Sequence, residues 1–300
     1  MPADTSVVVV ARVIAISTFL ETLDVEPTGA DRFDGRSPQT AWGRVFGGLV
    51  VAQALVAATR TVNRRPPHSL HAYFILPGDP AATISYAVER IRDGKSFSVR
   101  RCVASQKGQA IFALFASFQT EEAGFAHQSP MPDVPPPQDL PSEAELAEKL
   151  AGLIPETMLR FLTRDRPVEI RPTDLKQYYG VSAAAGSDAA QNIWIRVKQT
   201  LPDEAAVHRA ALAYLSDMTL INAALVPHGT TVFDPAVQVA SLDHALWFHR
   251  PFRADDWLLY CQESPSACGA RGLARGLIYS KAGVLVASVA QEGLIRLRHT

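Results

Sequence analysis

Apolar positions fall into a pattern that runs through the chain twice. Residues 47–62 carry Leu49, Val50, Val51, Ala54, Leu55 and Ala58, apolar on almost every side, which predicts a helix surrounded by protein. Strand-length runs follow at 68–76, 83–92, 97–105 and 110–119. Ile84, Tyr86 and Val88 alternate with polar or small neighbours, the period of a strand with one buried face. Turn formers at Pro77-Gly78-Asp79, Asp93-Gly94 and Lys107-Gly108 separate the runs. In the second half, 193–197 reads as a strand, and 205–225 places Val207, Ala211, Tyr214, Met218, Ile221 and Leu225 at helical spacings of four and three. Runs at 237–248, 257–263, 272–279 and 284–291 complete it, with a turn at Lys281-Ala282-Gly283.

Between the halves, six prolines fall within residues 130–141. They remove backbone donors and fix φ, so neither a helix nor a central strand passes through, and the segment is a linker. Local echoes support a duplication: Phe74-Ile75-Leu76-Pro77 against Phe248-His249-Arg250-Pro251, and Ala116-Ser117-Phe118-Gln119 against Ala287-Ser288-Val289-Ala290-Gln291. Their offsets of about 170 residues agree with the repeated order of elements. A long helix buried against an antiparallel meander is the hot-dog arrangement, and one such sheet leaves an edge that pairs with another. The expectation is an α+β double hot dog, with domains at 1–125 and 166–300 joined by a linker over 126–165.

Composition narrows the partners. Lys plus Arg total 29 against 30 for Asp plus Glu, so no global field holds nucleic acid or an anionic membrane, and a small molecule is the expected partner. Cys102, Cys261 and Cys268 form no metal-ligand spacing and read as thiols in a reducing compartment, with the cytoplasm the simplest address. The apolar run at 6–20, interrupted by Arg12, is shorter than the ~20 residues of a membrane span and reads as a short strand or helix leading into Glu21.

No GxSxG elbow, Walker A loop, GxGxxG or HExxH motif is present, which leaves water chemistry or plain binding. Asp217 lies at the flank of the apolar stripe of the second helix, where burial raises a carboxylate pKa; a solvated surface Asp fits the same pattern. Gln291 closes the last strand run, where an amide can orient a water without becoming charged, or simply face solvent. Ser241 could supply a hydroxyl to the same water, or be an ordinary strand serine. Asp243, His244 and His249 invite a metal reading, but neighbours in a strand point to opposite faces, and no metal or cofactor is expected. Arg250, Arg271 and Arg275 are candidates for phosphate contacts.

At these residues the chain resembles the acyl-CoA thioesterase II family. The resemblance runs from Arg44-Val45-Phe46-Gly47-Gly48 through Tyr73-Phe74-Ile75-Leu76-Pro77-Gly78-Asp79, Arg92-Asp93-Gly94-Lys95-Ser96-Phe97, Leu215-Ser216-Asp217 and Pro227-His228-Gly229 to the segments 242–252 and 286–293. It implies a double hot dog that hydrolyses fatty acyl-CoA, with Asp217, Ser241 and Gln291 as the catalytic set around a water. Ser241 stands where many members have Thr, and Leu49 where many have Gln. Gly47 and Gly48, at the start of the first helix, become candidate oxyanion donors, and the three arginines candidate contacts to coenzyme A phosphates. The apolar wall of the first helix would hold the acyl chain, and a homo-oligomer is expected. A hot-dog enoyl-CoA hydratase and a non-enzymatic acyl-CoA-binding protein are the alternatives.

Overall fold

The computed structural model describes residues 19–38, 43–154, 156–164, 166–178 and 190–298. Most of the run at 6–20 lies outside these residues; 19–23 is helical. Strands β1 (Glu26–Gly29) and β2 (Arg32–Gly35) lead into helix α1 (Gly47–Thr59), followed by β3 (Pro67–Phe74), β4 (Ile84–Asp93), β5 (Phe97–Gln106) and β6 (Gln109–Gln119). Helices α2 (Glu143–Leu150) and α3 (Glu156–Thr163) connect the halves, and strand β7 (Val168–Pro172) begins the second. The second half holds β8 (Gln191–Val197), α4 (Ala205–Ser216), β9 (Val237–Ser241), β10 (Asp243–Phe248), β11 (Leu258–Cys268), β12 (Arg271–Ser280) and β13 (Leu285–Leu297).

These strands form one antiparallel sheet whose order shows the duplication directly. The first half reads β2-β4-β5-β6-β3 and the second β8-β11-β12-β13-β10, the same path. The two paths join where β3 pairs β10, from Asp243 opposite Tyr73 to Trp247 opposite Ser69. Each half thereby covers an edge of the other that would otherwise expose a row of unpaired backbone groups. Helix α1 packs on β3 to β6 and against α4. Leu49, Val51, Ala54, Leu55 and Ala58 are all buried, as a helix apolar all round requires. Its far end is tied down by Arg100, 1% exposed, whose guanidinium donates to Thr61, to the Arg92 and Val99 carbonyls and to Asp93. Those acceptors offset the cost of taking the charge out of water.

The proline-rich segment is packed rather than loose. Met131, Val134 and Leu140 cover Trp194, Leu259, Tyr279 and Leu285 on the face of the second-half sheet opposite α4. Trp194 Nε1 donates to the Pro135 carbonyl at 2.9 Å, and the Tyr279 hydroxyl to that of Pro130 at 3.2 Å. Prolines lack N–H groups but keep acceptors, and the sheet's side chains use them. Beyond the strap, Ser142 and Glu145 form a capping box that starts α2.

Three elements depart from their expected form. The helix expected over 205–225 stops at Ser216 and continues as 3-10 turns at Leu220–Ala224 and Val226–His228. The Ser216 carbonyl, which would accept the next intrahelical bond, is taken by the Tyr260 hydroxyl at 2.9 Å. The run at 237–248 is two strands, β9 and β10. Gln291 sits well inside the long strand β13, not at its end.

Candidate active site

Asp217 is the residue on which α4 ends, with φ −90° and ψ −7°. Its carboxylate is buried and accepts from Gln291 Nε2 at 2.7 Å, from Ser241 Oγ at 3.4 Å and from the backbone N–H of Gly48. Burial pushes its pKa up to about 6, against the opposing pull of Gln291, the Gly48 amide, Ser241 and the positive charge of Arg44. Removal from water disfavours the anion while aimed donors favour it, and here the first effect wins. The result is a carboxylate able to take a proton near neutrality. The three residues come from a helix end and two strands, and their polar ends meet within hydrogen-bond reach.

Each side chain has a local reason for its position. Gly48 leaves room for the closest approach of the two helices: a Cβ there would lie 2.5 Å from the Tyr214 carbonyl oxygen. A Cβ on Gly47 would lie 2.7 Å from Asp217 Oδ2. The amide end of α1, with its partial positive charge, therefore faces the carboxylate at the end of α4. Ser241 is aimed by a bulge. It pairs with Gly293 while Ala245 pairs with Ala290, a step of four residues on one strand against three on the other. The extra residue near Leu242 reverses the alternation, so Ser241 and His244 both face α4. His244 is buried with Nε2 2.9 Å from Ser216 Oγ.

The other candidates are placed elsewhere. Gly48 donates to Asp217 itself. Arg250 holds the Leu285 and His127 carbonyls, anchoring the proline-rich strap. Arg271 pairs with Glu292 at 3.0 Å and Arg275 with Glu263 at 2.6 Å. Both project from β12 on the side away from buried Gly272, Ala274 and Gly276, so they lie across the sheet from Asp217. Asp243 accepts from the Glu292 amide at 2.7 Å, and His249 sits 2.8 Å from Ser288 Oγ. Neither meets His244, and among the described residues no group of three His, Cys, Asp or Glu side chains could hold a metal. An open cavity of about 810 Å³, lined by Arg196, His208, Phe252, Arg253, Trp257 and Lys281, lies near the start of α4. Its lining reaches His208, nine residues before Asp217 and at ~1.5 Å per residue roughly 14 Å along the helix, too far to share its chemistry.

Sequence reasoning missed Tyr260 and the pairing of Ser216 with His244, because their value lies in contacts across the fold that no local pattern announces. The nearest signals were Ser216 beside Asp217 and His244 within the 242–252 segment.

Comparisons with known proteins give the family and the fold. The family model described as acyl-CoA thioesterase matches residues 160–294, and the acyl-CoA thioesterase N-terminal domain matches 36–119. Acyl-CoA thioesterase 2 of Haemophilus influenzae is 38% identical, covering 94% of this chain and 98% of that protein. The chain belongs to the acyl-CoA thioesterase family. Human acyl-coenzyme A thioesterase 8 is 39% identical over 92% of this chain and 88% of its own. Among solved structures, an acyl-CoA thioesterase II, TesB2, from Mycobacterium marinum superposes with a TM-score of 0.76 and 42% identity, covering 93% and 98% of the two chains. A hot-dog protein from Alicyclobacillus acidocaldarius, TM-score 0.75 at 20% identity, shares the fold. The family and the α+β double hot-dog architecture are those expected from the sequence.

Proposed function

We propose that this thioesterase hydrolyses fatty acyl-CoA to a free acid and coenzyme A through a water activated by Asp217, Ser241 and Gln291. The observation that carries the reading is the buried Asp217 carboxylate, held by an amide and a hydroxyl and pushed up to about 6. Asp217 accepts a proton from the water as the oxygen attacks the thioester carbonyl, and the tetrahedral adduct expels the coenzyme A thiolate. The Ser241 hydroxyl, 3.4 Å from Asp217, is held loosely enough to turn toward another partner. Asp217 becomes neutral on taking the proton, so the cost of burying its charge falls as the reaction proceeds. The Gly48 amide already holds Asp217, so the oxyanion falls to the other backbone donors at the start of α1, where Gly47 presents no side chain.

The arginines are not needed for this chemistry. Arg271 and Arg275 are occupied by carboxylates, so a coenzyme A phosphate would compete with an existing ion pair. A homo-oligomer is supported by the outer face at the junction of the halves, where Tyr73 and Phe115 are exposed beside the His71–Trp247 ring contact. A cytoplasmic address is supported by three unpaired cysteines, with Cys102 and Cys261 pushed up to about 12 by burial. The test of function is thiol release from a series of acyl-CoA esters by the full chain and by Asp217→Asn. Release by the parent and a loss of at least a hundredfold in kcat are expected, ~3 kcal/mol in barrier. Activity within threefold of the parent removes Asp217 from the mechanism.

A further inference from the structure

His244 is used by nothing above, yet it touches both ends of the site. It stands one residue beyond the Ala245–Ala290 pair of the β10–β13 ladder, directly across from Gln291. Opposed residues on one face of a ladder bring their Cβ atoms to about 4.5–5.5 Å. Both side chains are buried, His244 at 1% and Gln291 at 0% exposure. On the other side the ring meets the hydroxyl of Ser216, the residue before Asp217. His244 Nδ1 and Gln291 Oε1 are both buried without a well-formed hydrogen bond. Gln291 nonetheless favours the protonated ring, as an acceptor does, against the burial that drives His244 down to about 4.

We propose that His244 is a positioning residue that fixes the amide of Gln291, donating from Nδ1 to Oε1 so that only Nε2 can face Asp217. The inference rests on the assignment of Asp217 and Gln291 to the catalytic set. Protons decide the arrangement. Asp217 accepts from Gln291 Nε2, so the amide oxygen points away from the carboxylate; a half-turn about the last side-chain bond would set oxygen against oxygen. A neutral imidazole carries one proton. At Nδ1 it satisfies Oε1 and leaves Nε2 to accept from Ser216, whose hydroxyl otherwise donates to the Ala213 carbonyl. A polar chain then runs from Ser216 through His244 and Gln291 to Asp217, and every buried group in it has a partner.

The test compares two amides at position 244 in the full chain. His244→Asn places a donor near the Nδ1 position and His244→Gln near that of Nε2, at similar size and polarity. His244→Asn is expected to keep kcat within about fivefold of the parent, whereas His244→Gln loses about 30-fold with KM changing less than twofold, as misplacement without lost substrate contacts requires. Equal kcat values for the two, or a loss confined to KM, overturn the proposal. In a Gln291→Ala background, His244→Gln is expected to cause no further loss; a further 30-fold drop contradicts it. If His244→Gln does not fold, Ser216→Ala replaces it: kcat lower by at least threefold at unchanged KM supports the chain, and unchanged kcat overturns it. An active Asp217→Asn would sink the catalytic assignment itself, while an inactive one with equal Asn and Gln variants sinks only the role of His244.

Discussion

At the scale of single residues, Asp217 as the proposed base sets stability against activity. A carboxylate whose folded pKa lies above its unfolded value stabilises the fold when protonated, and that contribution is lost as pH rises through the folded value. The melting temperature of the parent minus that of Asp217→Asn is therefore expected to fall between pH 3.8, the ordinary value, and about 6, and to stay flat above. Thermal melts over this range check the sign, and a difference rising with pH contradicts it. In its proposed role Ser241 needs only its hydroxyl. Ser241→Thr is expected to keep kcat within about threefold, and Ser241→Ala to lose at least tenfold, measured by thiol release.

At the scale of elements, the site is a meeting of ends. The Cβ of Gly48→Ala would press on the Tyr214 carbonyl, part of a backbone that cannot swing aside. The variant is expected to push α1 from α4, at about 1–3 kcal/mol, and to draw the Gly48 amide off Asp217, lowering both melting temperature and kcat. Tyr260→Phe leaves the buried Ser216 carbonyl without its donor, an expected loss of about 1–2 kcal/mol. In a chain of this size that is roughly 1.5–3 °C by calorimetry. The elements themselves were legible because hydrophobic period marks helices and strands, and α1 and the strands of the first meander lie within a few residues of their expected places. The end of α4 was not legible, since apolar spacing continues to Leu225 while the helix yields at Ser216 to a tyrosine from another strand. Nor was the bulge near Leu242, which depends on the register of β13. Asp217, Ser241 and Gln291 were reachable through resemblance; pattern alone left each a surface alternative.

At the scale of the whole molecule, duplication explains the division of labour. The repeated strand path supplies one continuous sheet, and the proposed catalytic set comes from the second half while the first contributes Gly48 and the end of α1. The apolar stretch from Ala205 to His228 meets the length and composition of a membrane span, yet 78% of its window is buried inside the protein, as the core this site requires. If the outer face around Phe115 joins copies of the chain, Phe115→Lys is expected to reduce the particle mass measured by light scattering without changing kcat per chain. A parent already monomeric contradicts the assembly.

The most direct test of the account is the pH dependence of kcat/KM for acyl-CoA hydrolysis, compared between the parent and Gln291→Leu. A base held at about 6 predicts an acidic limb there in the parent. Loss of the amide that favours the anion moves the limb upward in the variant. A limb in the ordinary carboxylate range, unmoved by the substitution, would contradict a buried Asp217 as the base.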